Sequence, residues 1–217
     1  KATYVELASL SKDASIYYQL NDDEIHAYQK PIKISSDASL TTWAESKSGV
    51  KSKKANANFI KMEENRNITL NTEYGNHYSA GGDKALIDYI RGGNDYRTGT
   101  WQGYEGVDID AVVDLGKKRK ISKLSIGFLQ DENSWIFMPT EVRFYGSTDG
   151  VDFKLLGTSS SDVSPKDKGT ILKDFILLAD TKVRYVKVVA SNLGMCPNYH
   201  KGAGGKCWIF ADEIIID

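Results

Sequence analysis

Apolar and polar positions along this chain alternate in short runs, without the spacing of three and four that a long helix shows. Ile16, Tyr18 and Leu20 share one side of an extended stretch at 16–20, and Leu124, Ile126 and Phe128 share one side of 124–128. Each run predicts a half-buried strand. A hairpin is predicted where Val142-Arg143-Phe144-Tyr145 leads through Ser147-Thr148-Asp149-Gly150 into Val151-Asp152-Phe153, because Asp-Gly between two strand-like runs turns the chain tightly. Further strands are expected at 112–115, 184–189 and 209–216. Gly, Asn, Asp and Ser separate the runs, so the chain reads as all-β, a sandwich or a barrel.

The stretch Glu63-Glu64-Asn65-Arg66-Asn67 is polar throughout and separates a Lys- and Ser-rich first part from an aromatic, Gly-rich second part. Two domains are therefore expected, over 1–62 and 68–217. The first has only about 60 residues, small enough to depend on packing against its neighbour. Its Lys51-Ser52-Lys53-Lys54 run reads as a solvated strand or turn rather than a binding patch.

Composition narrows the partners. The 217 residues are 41% hydrophobic and 26% charged, ordinary for a folded globular chain. Lys and Arg number 28 against 29 Asp and Glu, a formal net charge of −1 that lacks the basic field nucleic acid or anionic lipid attracts. Neither nucleic acid nor a membrane is expected as a partner, and apolar runs such as 175–178 and 214–216 fall far short of the ~20 residues of a spanning helix. The chain opens on Lys1 with no Met and no signal-like stretch, the expectation for a mature form or a segment of a longer protein. Its two cysteines, Cys196 and Cys207, lie close together, compatible with one disulfide in an oxidising compartment or with a buried free pair.

From about residue 68 to the end, five segments occur in a recognisable order: Ala85-Leu86-Ile87-Asp88; Arg91-Gly92-Gly93 with Trp101-Gln102-Gly103-Tyr104; Val113-Asp114-Leu115-Gly116; Ser147-Thr148-Asp149-Gly150; and Trp208-Ile209-Phe210-Ala211-Asp212-Glu213-Ile214. Together they resemble the factor five/eight type C, or discoidin-like, domain, a jelly-roll sandwich whose bacterial members are often carbohydrate-binding modules. With Phe128-Leu129-Gln130-Asp131 and Ser134-Trp135-Ile136-Phe137, the arrangement is similar to the version attached to bacterial family-20 β-N-acetylhexosaminidases. Residues 1–62, with Ser15-Ile16-Tyr17-Tyr18-Gln19-Leu20-Asn21 and Thr42-Trp43-Ala44, resemble the small immunoglobulin-like (chitobiase C-terminal-like) domain that follows the barrel in such enzymes. Asn21-Asp22-Asp23 stands where that domain usually has an Asp-Gly turn.

The resemblance implies a structural calcium held by Asp88 and Glu213, completed by the Ala85 carbonyl and by an oxygen from 95–98, with Asp95 and Thr98 as the candidates. Calcium takes six to eight oxygens from carboxylates and carbonyls. Gly-Gly-Asn appears only at Gly92-Gly93-Asn94, so the loop is longer than the family's. A structural Asp88 that caps a turn is the alternative.

Asp212-Glu213 echoes in letters the acid pair of family-20 hexosaminidases, but neighbouring residues of a strand are expected to face opposite sides, and glycoside hydrolysis needs two carboxyls converging on one bond. His26, His77 and His200 lack metal spacing, and no nucleophile elbow occurs, so no catalytic residue is assigned. Sugar recognition calls for a flat aromatic face and a few fixed polar groups at the loop end of a rigid sandwich. Trp135, Tyr199 and His200 are the first candidates, with Arg97 and Tyr104 in support. Trp101 and Trp208 lie in strand-like motifs and are expected in the core. The expected function is a non-catalytic accessory region of a secreted, periplasmic or outer-surface glycoside hydrolase, binding a glycan with a terminal hexose or N-acetylhexosamine. The alternative is structural support of a linked catalytic barrel. A discoidin-type lipid or protein binder would want exposed apolar loop spikes or a basic rim.

Overall fold

The computed structural model describes residues 2–61 and 65–217, so Glu63 and Glu64 of the polar divide lie outside the described residues. The chain forms two compact units, Lys1–Glu63 and Glu64–Asp217.

In the first unit, β1 (Thr3–Val5) pairs with β4 (Ile32–Ile34), while β2 (Ser15–Leu20), β3 (His26–Ala27), β5 (Ala38–Glu45) and β6 (Ala55–Phe59) form a second sheet in the order β3-β2-β5-β6. Alternation drives both sheets into one small core: Ile32, Ile34 and Leu40 are buried, with Val5, Tyr18, Leu20 and Phe59 packed against them. Asn21 and Asp22 both adopt left-handed backbone, at φ 51° and 61°, and Asp23 N–H donates to the Leu20 carbonyl at 2.9 Å. Two positive φ values in sequence are what a type I′ turn requires, so this Asn-Asp pair does the work of the missing Asp-Gly.

The second unit is built on two long strands, β9 (Ile109–Asp131) and β12 (Thr170–Ala190), paired antiparallel from Thr170–Asp131 to Ala190–Ile109. Their two halves have different outer neighbours. Toward the end of β9, β13 (Trp208–Ile216) pairs beside it and β8 (Gln102–Glu105) pairs beside β13. At the other end, β7 (Asn67–Leu70) flanks the start of β9, and β10 (Val142–Ser147) with β11 (Lys154–Ser159) flanks the end of β12. Register shifts between Leu178 and Thr181 and between Val183 and Tyr185 mark the bend where the strand pair passes from one layer to the other.

One core fills the space between the layers. Ile109, Val113, Ile126, Phe128, Phe144, Phe175, Val186 and Ile214 are all buried in it. Trp101 is buried in a satellite cluster with Leu129, Ile136 and Phe210, and Trp208 packs half-buried against the same cluster. This is the all-β, layered arrangement that the alternation predicts.

Two strand expectations need revision. The runs at 112–115 and 124–128 belong to one strand, since β12 continues to pair across the charged 117–120 segment between them. In the predicted hairpin β10 does return as β11, but 151–153 stay in the turn. There Asp149 Oδ1 accepts from the N–H groups of Val151 and Asp152, at 2.9 and 3.0 Å, and holds them away from the ladder.

Candidate functional site

Chain segments far apart in sequence meet around Trp135. β9 ends at Asp131, and one turn of 3-10 helix, Glu132–Ser134, delivers Trp135 in left-handed backbone, φ 65° and ψ 20°. A bulky residue is held there only when its surroundings over-determine it. Here Trp135 N–H donates to the Glu132 carbonyl at 3.0 Å, and the Trp135 carbonyl accepts from Trp208 N–H at 2.9 Å. The indole lies against the 202–205 turn so closely that a Cβ on Gly202 would stand 2.5 Å from Trp135 Cε2. Glycine is therefore required beneath the ring. With that support the side chain still keeps 37% of its surface exposed.

His200 is corrected from ligand contact to buttress. It is 4% exposed and sits edge-on to both Trp135 and Phe137. Gly202 N–H donates to Nδ1 at 3.0 Å, so that nitrogen carries no proton, and Nε2–H donates to the Glu132 carbonyl at 2.8 Å. One neutral imidazole thus ties the glycine turn to the helical turn that presents the indole.

Beside it Tyr199 is 50% exposed, and Lys166 Nζ stands 4.9 Å from its ring centroid. The turn that carries Lys166 is clamped from below. Buried Gln130 donates through Nε2 to the carbonyls of Ser164 (2.8 Å) and Asp167 (3.2 Å) and accepts from Met138 N–H at 3.3 Å. Lys168 Nζ bonds Glu132 Oε1 at 2.6 Å and holds that carboxyl below its usual range. Lys166, Lys168, Glu132, Gly202 and Gly205 were not singled out by sequence reasoning. No local motif marks them, because their meaning depends on three loops meeting.

Two further expected sugar contacts are reassigned. Tyr104 is fully buried in the core, its hydroxyl donating to Gln102 Oε1 at 2.7 Å, with a pKa raised by burial and by nearby Tyr74 and Asp83. It cannot touch a ligand outside. Arg97 is exposed, but both its Nε and Nη2 engage Asp95, at 2.8 and 3.2 Å. Of the two readings left open for the cysteines, disulfide or buried free pair, the structure has the second: Cys196 and Cys207 are free and buried, their sulfurs 3.5 Å apart. Burial and the neighbouring thiol push Cys207 up to about 12, which suppresses the thiolate that oxidation needs.

The calcium candidates divide. Ala85 opens a buried turn of 3-10 helix, Ala85–Ile87, that ends at Asp88. Glu213 is 1% exposed; its Oε2 accepts from Tyr89 N–H at 2.9 Å, while its Oε1 is buried with no hydrogen-bond partner. Burial pushes this carboxyl up to about 8, with Asp88 and Asp212 adding to the rise and Arg66 opposing it. Asp88 is likewise raised, mainly by burial. An orphaned carboxylate oxygen beside a second acid suits a hard cation. Asp95 does not fit, since Arg97 occupies its oxygens, and Thr98 Oγ–H donates to the Asp95 carbonyl at 2.9 Å. Among the described residues, no three His, Cys, Asp or Glu side chains gather closely enough to hold a metal.

Asp212 does not face away from its neighbour as strand alternation predicts. The register of β13 shifts between Ala211 and Ile214, and both acids reach the 89–92 segment. Asp212 Oδ2 accepts from Arg91 Nε at 2.7 Å and from Gly92 N–H at 2.9 Å, so this carboxylate anchors a loop.

The F5/8 type C domain matches residues 67–207. Among solved structures, CpGH89CBM32-5 from Clostridium perfringens, in complex with GalNAc-β-1,3-galactose, is 23% identical with a TM-score of 0.44, covering 70% of this chain and 94% of that one. The C-terminal domain of a chitobiase from Bacteroides fragilis is 18% identical with a TM-score of 0.44, covering 71% and 93%. The family 32 CBM from C. perfringens NanJ, in complex with galactose, is 16% identical with a TM-score of 0.42, covering 70% and 93%. No curated protein matches the sequence. With its family match spanning β7 to the approach of β13, this chain belongs to the F5/8 type C domain family.

Proposed function

We propose that this chain is the non-catalytic, glycan-binding accessory region of a secreted bacterial glycoside hydrolase, a β-N-acetylhexosaminidase. The observation that carries the proposal is Trp135, an indole held in left-handed backbone, seated on a glycine turn and left open on its outer side. Such a ring offers a pyranose its apolar face, and Tyr199 adds a second exposed aromatic nearby. The ligand is a glycan ending in a hexose or N-acetylhexosamine. Weak binding by this region raises the local concentration of the linked catalytic domain on its substrate. The first unit serves as an immunoglobulin-like spacer, in keeping with its two small sheets and shared core.

Calcium is part of the proposal as a structural ion. Glu213, Asp88 and the Ala85 carbonyl would hold it, the orphaned Glu213 oxygen being the supporting observation. When bound, it neutralises the acids that burial leaves at odds.

Titration of the folded chain with galactose, N-acetylgalactosamine and N-acetylglucosamine, extended to a glycan array, tests the binding. At least one terminal sugar is expected to bind, and Trp135→Ala is expected to weaken it by about tenfold or more. Silence across a broad array from a natively folded chain would remove the proposal.

One observation favours a second reading, support of the catalytic barrel without sugar binding. Leu172, Ile176 and Leu178 leave an exposed apolar row on β12, suited to packing against another domain. Deleting this region from the parent enzyme separates the two, since a scaffold's loss lowers stability on any substrate whereas a binder's loss falls on polymeric substrate alone.

A further inference from the structure

The charges in the loops beside Trp135 balance in number but not in pairing. Asp131 accepts from Ser134 Oγ–H at 3.1 Å and Asp167 from Ser164 N–H at 2.9 Å inside their own turns, and Glu132 accepts from Lys168 of the neighbouring turn at 2.6 Å. The lysines differ in how far they are engaged. The Lys166 ammonium makes no hydrogen bond or ion pair among the described residues and rests on the exposed Tyr199 ring, while the Lys166 backbone N–H donates to Ser164 Oγ at 3.2 Å. Lys201, exposed and next to His200, is close enough to help lower the Glu132 carboxyl.

Lys166 also stands on a rigid base. A lysine on a mobile loop loses side-chain freedom on pairing and gains little from it. Here buried Gln130 fixes the backbone on both sides of Lys166, and the Tyr199 face guides its stem. A negative group carried by a sugar on the Trp135 ledge would therefore meet a placed, unpaired ammonium at the ledge's border.

We infer that the Trp135 ledge selects acidic saccharides, with Lys166 as the specificity-determining residue that pairs with a carboxylate or sulfate on the sugar. This rests on the proposal that Trp135 is a glycan platform. The indole provides contact to any pyranose, and Lys166 adds the charge preference.

The test is calorimetric titration of the whole chain with two sets of probes, neutral and acidic. The neutral set is galactose and N-acetylgalactosamine; the acidic set is galacturonate, glucuronate, N-acetylneuraminate and galactose 6-sulfate. Acidic probes are expected to bind about fivefold tighter, and Lys166→Gln, an exposed substitution, is expected to erase that margin while leaving neutral sugars unchanged. Raising NaCl from about 0.05 to about 0.5 M should weaken the acidic set selectively. The carboxylate and sulfate arms show which anion is taken. Equal affinity for both sets, tighter neutral binding, or a Lys166→Gln loss shared by both sets overturns the inference and leaves the platform standing. No binding of any probe by the natively melting chain overturns both.

Discussion

The Trp135 ledge and the Glu213 corner are both made where loops meet the end of a strand, yet they are unfinished in opposite ways. At the ledge the buried groups that place the ring are bonded, both His200 ring nitrogens and both polar atoms of the Gln130 amide, and the buried Glu132 Oε2, which lacks a hydrogen-bond partner, belongs to a carboxylate that Lys168 already pairs. What is left open is apolar surface. At the corner the surface is closed, and what is left open is a buried carboxylate oxygen. A site of the first kind waits for a ligand that brings shape, whereas one of the second kind waits for a ligand that brings charge.

The largest effect that tests this contrast lies at the corner. Glu213 has its folded pKa pushed up to about 8 from an ordinary 4.5. Between those values the folded protein keeps a proton that the unfolded chain has released, so stability falls as pH rises from about 4.5 to about 8 and levels beyond. The full penalty is on the order of 5 kcal/mol. Chemical denaturation in chelator across that range should show the decline, and Glu213→Gln should flatten it. A flat profile from the unaltered chain would mean that the carboxyl is already compensated.

Next in size is calcium itself. At about 100 times its Kd, an ion bound only by the folded state adds about 3 kcal/mol, which raises Tm by roughly 5–10 °C. The rise should vanish in Glu213→Gln and persist in Trp135→Ala. An unchanged melt on adding calcium, or on adding a chelator to protein as purified, would leave Arg66 and Arg91 to serve these acids in place of an ion.

The smallest effect sharpens the ledge. Gly202→Val pushes a side chain into the indole, so sugar affinity should fall about tenfold while the pH profile and the calcium response stay put. Full affinity in that variant would mean that the ring needs no seat.

Local pattern made the sandwich legible. The alternation at 16–20 and 124–128 and the turn at Asp149-Gly150 correspond to β2, the latter part of β9 and the β10-β11 connection. The continuity of β9 was not legible, because no apolar alternation marks 117–120, and it is β12, pairing Arg119 and Lys120, that carries the strand through. Tyr104 and Trp135 show the same limit for the site. Both are aromatics near Gly, Asn or Ser, but Tyr104 sits in a strand whose alternation turns it inward, and Trp135 follows a helical turn that turns it out.

Sequence alone determined the all-β class, the two-part organisation suggested by the polar divide, and the family resemblance, because these follow from periodicity and short motifs that neighbouring residues carry. The tertiary structure decided that His200 supports rather than binds, that Asp95 belongs to Arg97, that Cys196 and Cys207 stay free, and that Lys166 stands over Tyr199. Each is a pairing between side chains, and what a polar group does depends on which partner the fold brings within hydrogen-bonding distance, a choice made by loops whose ends lie far apart along the chain.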